Sequence, residues 1–109
     1  MNLKKLRQIL KVLGDDTRLR ILNLLNKNEL TVTDIGFILK KNQPIISKHL
    51  ERLRMVRIVN DRRDGNFIYY SLIRDEAVDK IIQFILITFE TIEMFQKDNK
   101  KLVTLNKSK

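Results

Sequence analysis

A chain of 109 residues with 43% hydrophobic and 32% charged side chains has the size and mix of one folded domain, which excludes two separate cores and a disordered polymer. Its 22 Lys and Arg against 13 Asp and Glu give a formal charge of +9, so the expected partner is a polyanion or an acidic membrane surface. The absence of cysteine excludes disulfides, thiolate metal ligands and a thiol redox switch, and it fits a cytoplasmic location.

Leu3, Leu6, Leu10 and Leu13 recur at three- and four-residue steps and predict an amphipathic helix ended by Gly14. Asp15 is the natural N-cap of a second helix reaching about residue 26, with Leu19, Ile21, Leu22 and Leu25 turned inward. A third helix follows a short polar break, with Thr33 as its expected cap and Ile35, Ile38 and Leu39 buried. After Lys40 and Lys41, Asn42 can cap a fourth helix from Gln43 to about Arg54, where Pro44 falls in the first turn and its missing N–H costs little. Two short helices joined so tightly predict a helix-turn-helix.

The period then changes. Residues 57–61 and 66–71 are rich in β-branched and aromatic types, and residues 62–65 between them end in Asp64-Gly65, which predicts a β-hairpin tipped by Arg62 and Arg63. From Arg74 to about Gln96 one long helix is expected, apolar over most of its circumference. A domain with so few elements cannot cover such a helix alone, so it is expected to pack on a second copy, forming a homodimer. Leu3, Leu6 and Leu10 with Ile82, Ile85, Phe89, Ile92 and Phe95 are the expected interface, residues 1–96 the domain, and residues 97–109 a frayed basic tail. The N-terminal stretch lacks an apolar core and the run Ile81–Phe89 is only nine residues, so neither a signal peptide nor a membrane span is expected.

The positive charge is local. Between residues 40 and 63 eight basic side chains face only Glu51 and Asp61, a net +6, whereas residues 74–96 carry two basic and five acidic groups, a net −3. On a helical wheel that starts at Gln43, Ile46, Leu50 and Leu53 gather between about 280° and 340°, while Gln43, Pro44, Ser47, Lys48, Glu51 and Arg52 spread over about 0° to 180°. One face packs and the other is free to meet base edges and phosphates in a major groove. Asn42, Gln43, Pro44, Ser47 and Lys48 are the expected contacts with double-stranded DNA, with Arg52 beside them. Arg62 and Arg63 suit a narrow minor groove or its flanking phosphates, unless Asp61 and Asp64 neutralise them, and Lys40, Lys41 and Arg57 are further phosphate candidates. His49, the one histidine, falls near Ile45, Leu53 and Val56 on the wheel and reads either as a packed ring or as a phosphate contact. A single histidine without cysteine makes no tetrahedral zinc site, and no nucleophile–base pair is visible, so neither metal, cofactor nor catalysis is expected.

Four stretches, in order, resemble the arsenic-repressor (ArsR/SmtB) family of bacterial and archaeal regulators: Leu13–Leu22, Glu29–Ile35, Asn42–Leu50 with Leu53-Arg54, and Arg63–Leu72. The resemblance implies a mainly α winged helix-turn-helix of four helices, a β-hairpin and a fifth helix. It also implies a homodimer through the first and last helices, repressing transcription from an inverted-repeat operator until a signal lowers affinity. In the family, DNA contacts commonly fall at positions matching Gln43, Ser47, Lys48 and His49 and at the hairpin tip. Metal-sensing members carry Cys-x-Cys where this chain has Thr31-Val32-Thr33, and acid and histidine ligands on the last helix where it has Asp75, Ala77, Thr88 and Thr91. The effector is thus left open between an unrecognised small ligand, a partner protein and none. The competing reading is a winged-helix module that captures an unlike protein through its apolar last helix.

Overall fold

The computed structural model describes residues 1–108. Its elements run α1 (Leu3–Leu13), α2 (Asp16–Leu25), β1 (Leu30–Thr31), α3 (Val32–Leu39), α4 (Gln43–Met55), β2 (Val59–Asp64), β3 (Phe67–Leu72), α5 (Glu76–Thr88) and α6 (Glu93–Lys107). This is the expected winged helix-turn-helix, with one short strand and one helix more.

Local chemistry sets most of the boundaries. Asn2, Asp15, Asn42 and Asp75 each accept backbone N–H groups of the turn they open, which satisfies donors that have no partner inside the helix. At α3 the cap is Thr31, not Thr33: the Thr31 hydroxyl accepts from the Asp34 N–H at 3.1 Å and the Asp34 carboxylate accepts from the Thr31 N–H at 3.2 Å. This reciprocal box needs an acid three residues on, which Asp34 supplies for Thr31 and Gly36 does not supply for Thr33. Lys40 ends α3 in the left-handed region at φ 57°, and a Cβ on Gly36 would stand 2.8 Å from the Lys41 carbonyl, so the tight passage into α4 requires glycine there.

The sheet has the order β1-β3-β2, antiparallel, with Leu30 opposite Tyr70 and Val59 opposite Leu72. The hairpin lies about two residues later than its sequence pattern indicates. Arg57 takes φ 61° and reverses the chain after α4, so β2 starts at Val59, and Gly65 at φ 61° makes the turn. Arg62 and Arg63 consequently both belong to the strand and not to the tip.

The single long helix expected over residues 74–96 is two. The chain breaks after Thr88 and turns back, which lays α6 along α2 and α3 and buries Phe95, Asp98 and Leu102. Of residues 97–109, expected as a frayed tail outside the domain, 97–107 are therefore helix packed on the core, and 109 lies outside the described residues. Ile82 and Phe95 are 1% and 4% exposed inside the protomer, which removes both from the expected subunit interface. The core otherwise gathers Ile21, Leu22 and Leu24 of α2, Ile35 and Ile38 of α3, Ile46, Leu50 and Leu53 of α4, and Ile58 and Val59 at the wing. α5 leans on it through Val78, Ile82 and Leu86, four residues apart, and leaves Phe84 and Ile87 outside.

Candidate nucleic-acid interface

α4 is divided as the wheel required. Ile46, Leu50 and Leu53 have no exposure at all, while Gln43, Pro44, Ser47, Lys48, Glu51 and Arg52 stand in solvent. The buried row fixes the helix against the domain, so the polar row is presented at a set angle instead of wandering on a flexible loop. Asn42 spends its side-chain oxygen on the Ile45 N–H at 3.0 Å, and Gln43 donates its amide to the Thr33 hydroxyl at 3.1 Å. That second bond joins the start of α4 to the start of α3. The sequence offers Thr33 only as a helix cap, because a lone threonine carries no signal of a partner ten residues away. Ile45, 41% exposed near the helix start, is an accessible apolar side chain that the wheel placed next to His49 without marking it as exposed.

His49 is half-buried and braced from α2. Arg18 donates to its Nδ1 at 3.2 Å, and Asp15 lies 3.8 Å from the same nitrogen. Burial pulls the imidazole below its ordinary value; Asp15 opposes this, while the charges of Arg18, Arg52 and Lys41 add to it. A nitrogen that accepts from a guanidinium carries no proton, so the ring is neutral and its hydrogen sits on Nε2. Desolvation works to raise the Asp15 carboxyl, but the backbone N–H and the charge of Arg18 leave it below the usual range. Arg18 also donates to the Val12 carbonyl at 2.6 Å. Lys5 of α1 donates to the Val56 carbonyl at the far end of α4. α4 is thus tied at its middle to α2 and at its end to α1.

The wing's two arginines differ. Arg62 grips Glu29 through two bonds of 2.9 and 3.0 Å, lies 4.8 Å from the centre of the Tyr69 ring and is 3.8 Å from Asp64. The partner is Glu29, with Asp64 a distant second, and Asp61 is not involved. The bond to Arg62 chiefly holds the Glu29 carboxyl below its usual range. Arg63 is exposed and, among the described residues, has no acidic partner; the same holds for Lys40, Lys41, Lys48 and Arg52. Arg54, by contrast, is paired with Glu51 at 2.8 Å. These five cations lie before α4, along its free face and on the wing.

Residues 15–61 match the family described as bacterial regulatory protein, arsR family. The transcriptional repressor SdpR of Bacillus subtilis is 35% identical over 80 residues, covering 71% of this chain and 89% of that one. The arsenical resistance operon repressor of Staphylococcus aureus is 40% identical over 83 residues, 76% of this chain and 79% of that one. The chain belongs to the ArsR family of transcriptional regulators.

Two solved structures are similar to it over about four-fifths of its length. HlyU of Vibrio cholerae, in its reduced form, gives a TM-score of 0.72 at 30% identity over 79% of this chain and 90% of that one. The homodimeric winged helix-turn-helix DNA-binding domain of Mb0332 from Mycobacterium bovis gives 0.72 at 27% identity over 81% of each chain. The family is one of DNA-binding regulators and not of enzymes. Among the described residues no helix is long and apolar enough to cross a membrane, and no three His, Asp or Glu side chains converge as metal ligands would. Thr31 and Thr33, at the positions where the resemblance puts thiolates in metal sensors, are engaged in the α3 cap and with Gln43.

Proposed function

We propose that this protein represses transcription by binding an inverted-repeat operator in the cytoplasm as a homodimer, with α4 of each subunit in a major groove and each wing against the flanking backbone. The division of α4 into a fully buried apolar row and an exposed polar row carries this reading. Gln43 and Ser47 read base edges, Ile45 meets a thymine methyl, and Pro44 packs at the groove wall. Lys40, Lys41, Lys48 and Arg52 hold phosphates, and Asn42 contributes by capping the helix. His49, with Nδ1 taken by Arg18, offers only Nε2–H, to a phosphate. Arg63 is the wing's contact with the minor groove, and Arg62 joins it only by leaving Glu29.

The second subunit covers Leu3 and Leu10 of α1, 80% and 54% exposed, together with Phe84, Ile87, Phe89 and Ile92. Leu6 and Ile85, both half-buried, line the same faces. Apolar surface on this scale marks an interaction site. An unlike partner on these faces would leave the chain a monomer alone; light scattering at about twice 13.0 kDa favours the homodimer.

A gel shift on the protein's own upstream duplex tests the assignment of α4. Gln43→Ala with Ser47→Ala lowers specific affinity by about 10- to 100-fold and erodes discrimination, because each good base contact is worth roughly 1–3 kcal/mol. Equal binding by variant and parent overturns the assignment. Arg63→Ala weakens all sequences alike and reduces the slope of log K against log salt by about 0.9 for each phosphate released.

A further inference from the structure

The groove between α3 and α6 differs from the rest of the basic surface. Gly36, Phe37, Lys40 and Lys41 form one wall and Lys100, Lys101 and Thr104 the other, around a volume of about 700 Å³, within the range of small-molecule sites. The Phe37 ring is 70% exposed there, an unusual setting for a phenyl group with four lysines around it. None of the lining residues is acidic, and among the described residues Lys40, Lys41 and Lys100 have no ion partner. Lys101 reaches only the Ile38 carbonyl, at 3.4 Å, and the Thr104 hydroxyl is turned to the carbonyl of Lys100. Lys97, on the same helix but outside the groove, is neutralised by Glu93 at 3.1 Å.

An apolar floor under uncompensated ammonium groups selects its occupant by two criteria. Inorganic phosphate or a nucleic-acid backbone satisfies the lysines and leaves the ring in water; a neutral hydrocarbon covers the ring and leaves the charge unmatched. An anion with an apolar body does both. We propose that the α3–α6 groove binds a small amphiphilic carboxylate, its chain on Phe37 and its carboxylate among Lys40, Lys41, Lys100 and Lys101. Lys40 and Lys41 open the passage into α4, and on the operator reading above they also hold phosphates. An anion in the groove withdraws them from the duplex and lowers DNA affinity, which makes it an inducer.

Calorimetric titration of the full-length protein with decanoate, decanol and inorganic phosphate tests the site. Decanoate binds once per chain and at least roughly tenfold more tightly than either control, and Phe37→Ser or Lys100→Glu, both at exposed positions, weakens it at least about fivefold with unchanged melting. Equal binding of decanol, or indifference of decanoate to both substitutions, overturns the proposal. So does a change of mass for Phe37→Ser in light scattering, which assigns the face to a second copy. A loss of ligand-free DNA binding in Lys100→Glu overturns it too, by assigning the lysines to the duplex. In the gel shift decanoate weakens the parent's DNA binding and leaves that of Phe37→Ser untouched; decanoate binding without that effect overturns the inducer role. A parent that ignores its upstream duplex while binding decanoate defeats the operator reading alone, and DNA binding without decanoate binding defeats the groove alone.

Discussion

Arg20 holds Asp98 across the α2–α6 seam at 2.9 and 3.0 Å, and Arg62 holds Glu29 at the root of the wing at the same 2.9 and 3.0 Å. Both are two-point guanidinium–carboxylate grips, and their geometry does not separate them. Water does. The Asp98 side chain is wholly buried and that of Arg20 is 16% exposed, whereas Arg62 and Glu29 are 52% and 42% exposed. A buried pair carries a desolvation cost that its attraction must offset, so neither partner tolerates losing the other; an exposed pair exchanges with solvent at little cost. The first pair is therefore architecture, and the second is a latch open to exchange with solvent.

The largest effect expected of this contrast is at the seam. Asp98→Ala strands Arg20 and loses about 3 kcal/mol, toward the low end for a broken buried pair because Arg20 keeps some contact with water, read as a lower denaturant midpoint. Replacing both partners with apolar residues of similar size, Arg20→Met with Asp98→Leu, recovers most of that loss, since no charge is left buried. A double variant as weak as Asp98→Ala would show that the seam depends on the ion pair itself and not on burial.

A pH effect of intermediate size falls at His49, on the other side of α2. Burial holds the folded imidazole below its ordinary 6.5, so the unfolded chain takes up the proton first as the pH falls. The contribution of the neutral ring to stability is complete above about 6.5 and is lost on acidification below it. His49→Gln flattens the acid side of the stability profile in that window, and the further loss as Asp15 protonates persists at lower pH, since its carboxyl also lies below its ordinary 3.8. Unchanged steepness near pH 6 would remove His49 as the cause.

The smallest effect on folding is at the wing. Glu29→Ala leaves the denaturant midpoint where it was, because both partners are solvated, and raises affinity for the operator by freeing Arg62 for phosphate. A melt shifted as far as that of Asp98→Ala would erase the distinction between the two pairs.

The same contrast explains which parts of the molecule could be read in advance. α1 to α4 are written in local terms: leucine spacing, Asp15 and Asn42 as caps, and a wheel whose buried row is Ile46, Leu50 and Leu53. The free face of α4 followed from that row without any knowledge of neighbours. The partners of the candidate site residues did not, because Thr33 for Gln43, Arg18 for His49 and Glu29 for Arg62 are 10, 31 and 33 residues distant and no local period connects them. At the C-terminal end the period was present but disguised. Phe95, Asp98, Leu102 and Leu105 recur at three- and four-residue steps, yet one of the four is an acid and five lysines lie among and beyond them, so the segment looked solvated.

Sequence alone determined the winged helix-turn-helix, its capped recognition helix and the concentration of positive charge around it, because these depend on side-chain periodicity and on backbone groups a few residues apart. Only the tertiary structure decided that the last apolar stretch breaks after Thr88 and folds back. That reversal brings a buried carboxylate to an arginine 78 residues away, and it also creates the lysine-rimmed groove beside α3. Contacts of that range become favourable only once the intervening chain has packed, so no window of the sequence contains them.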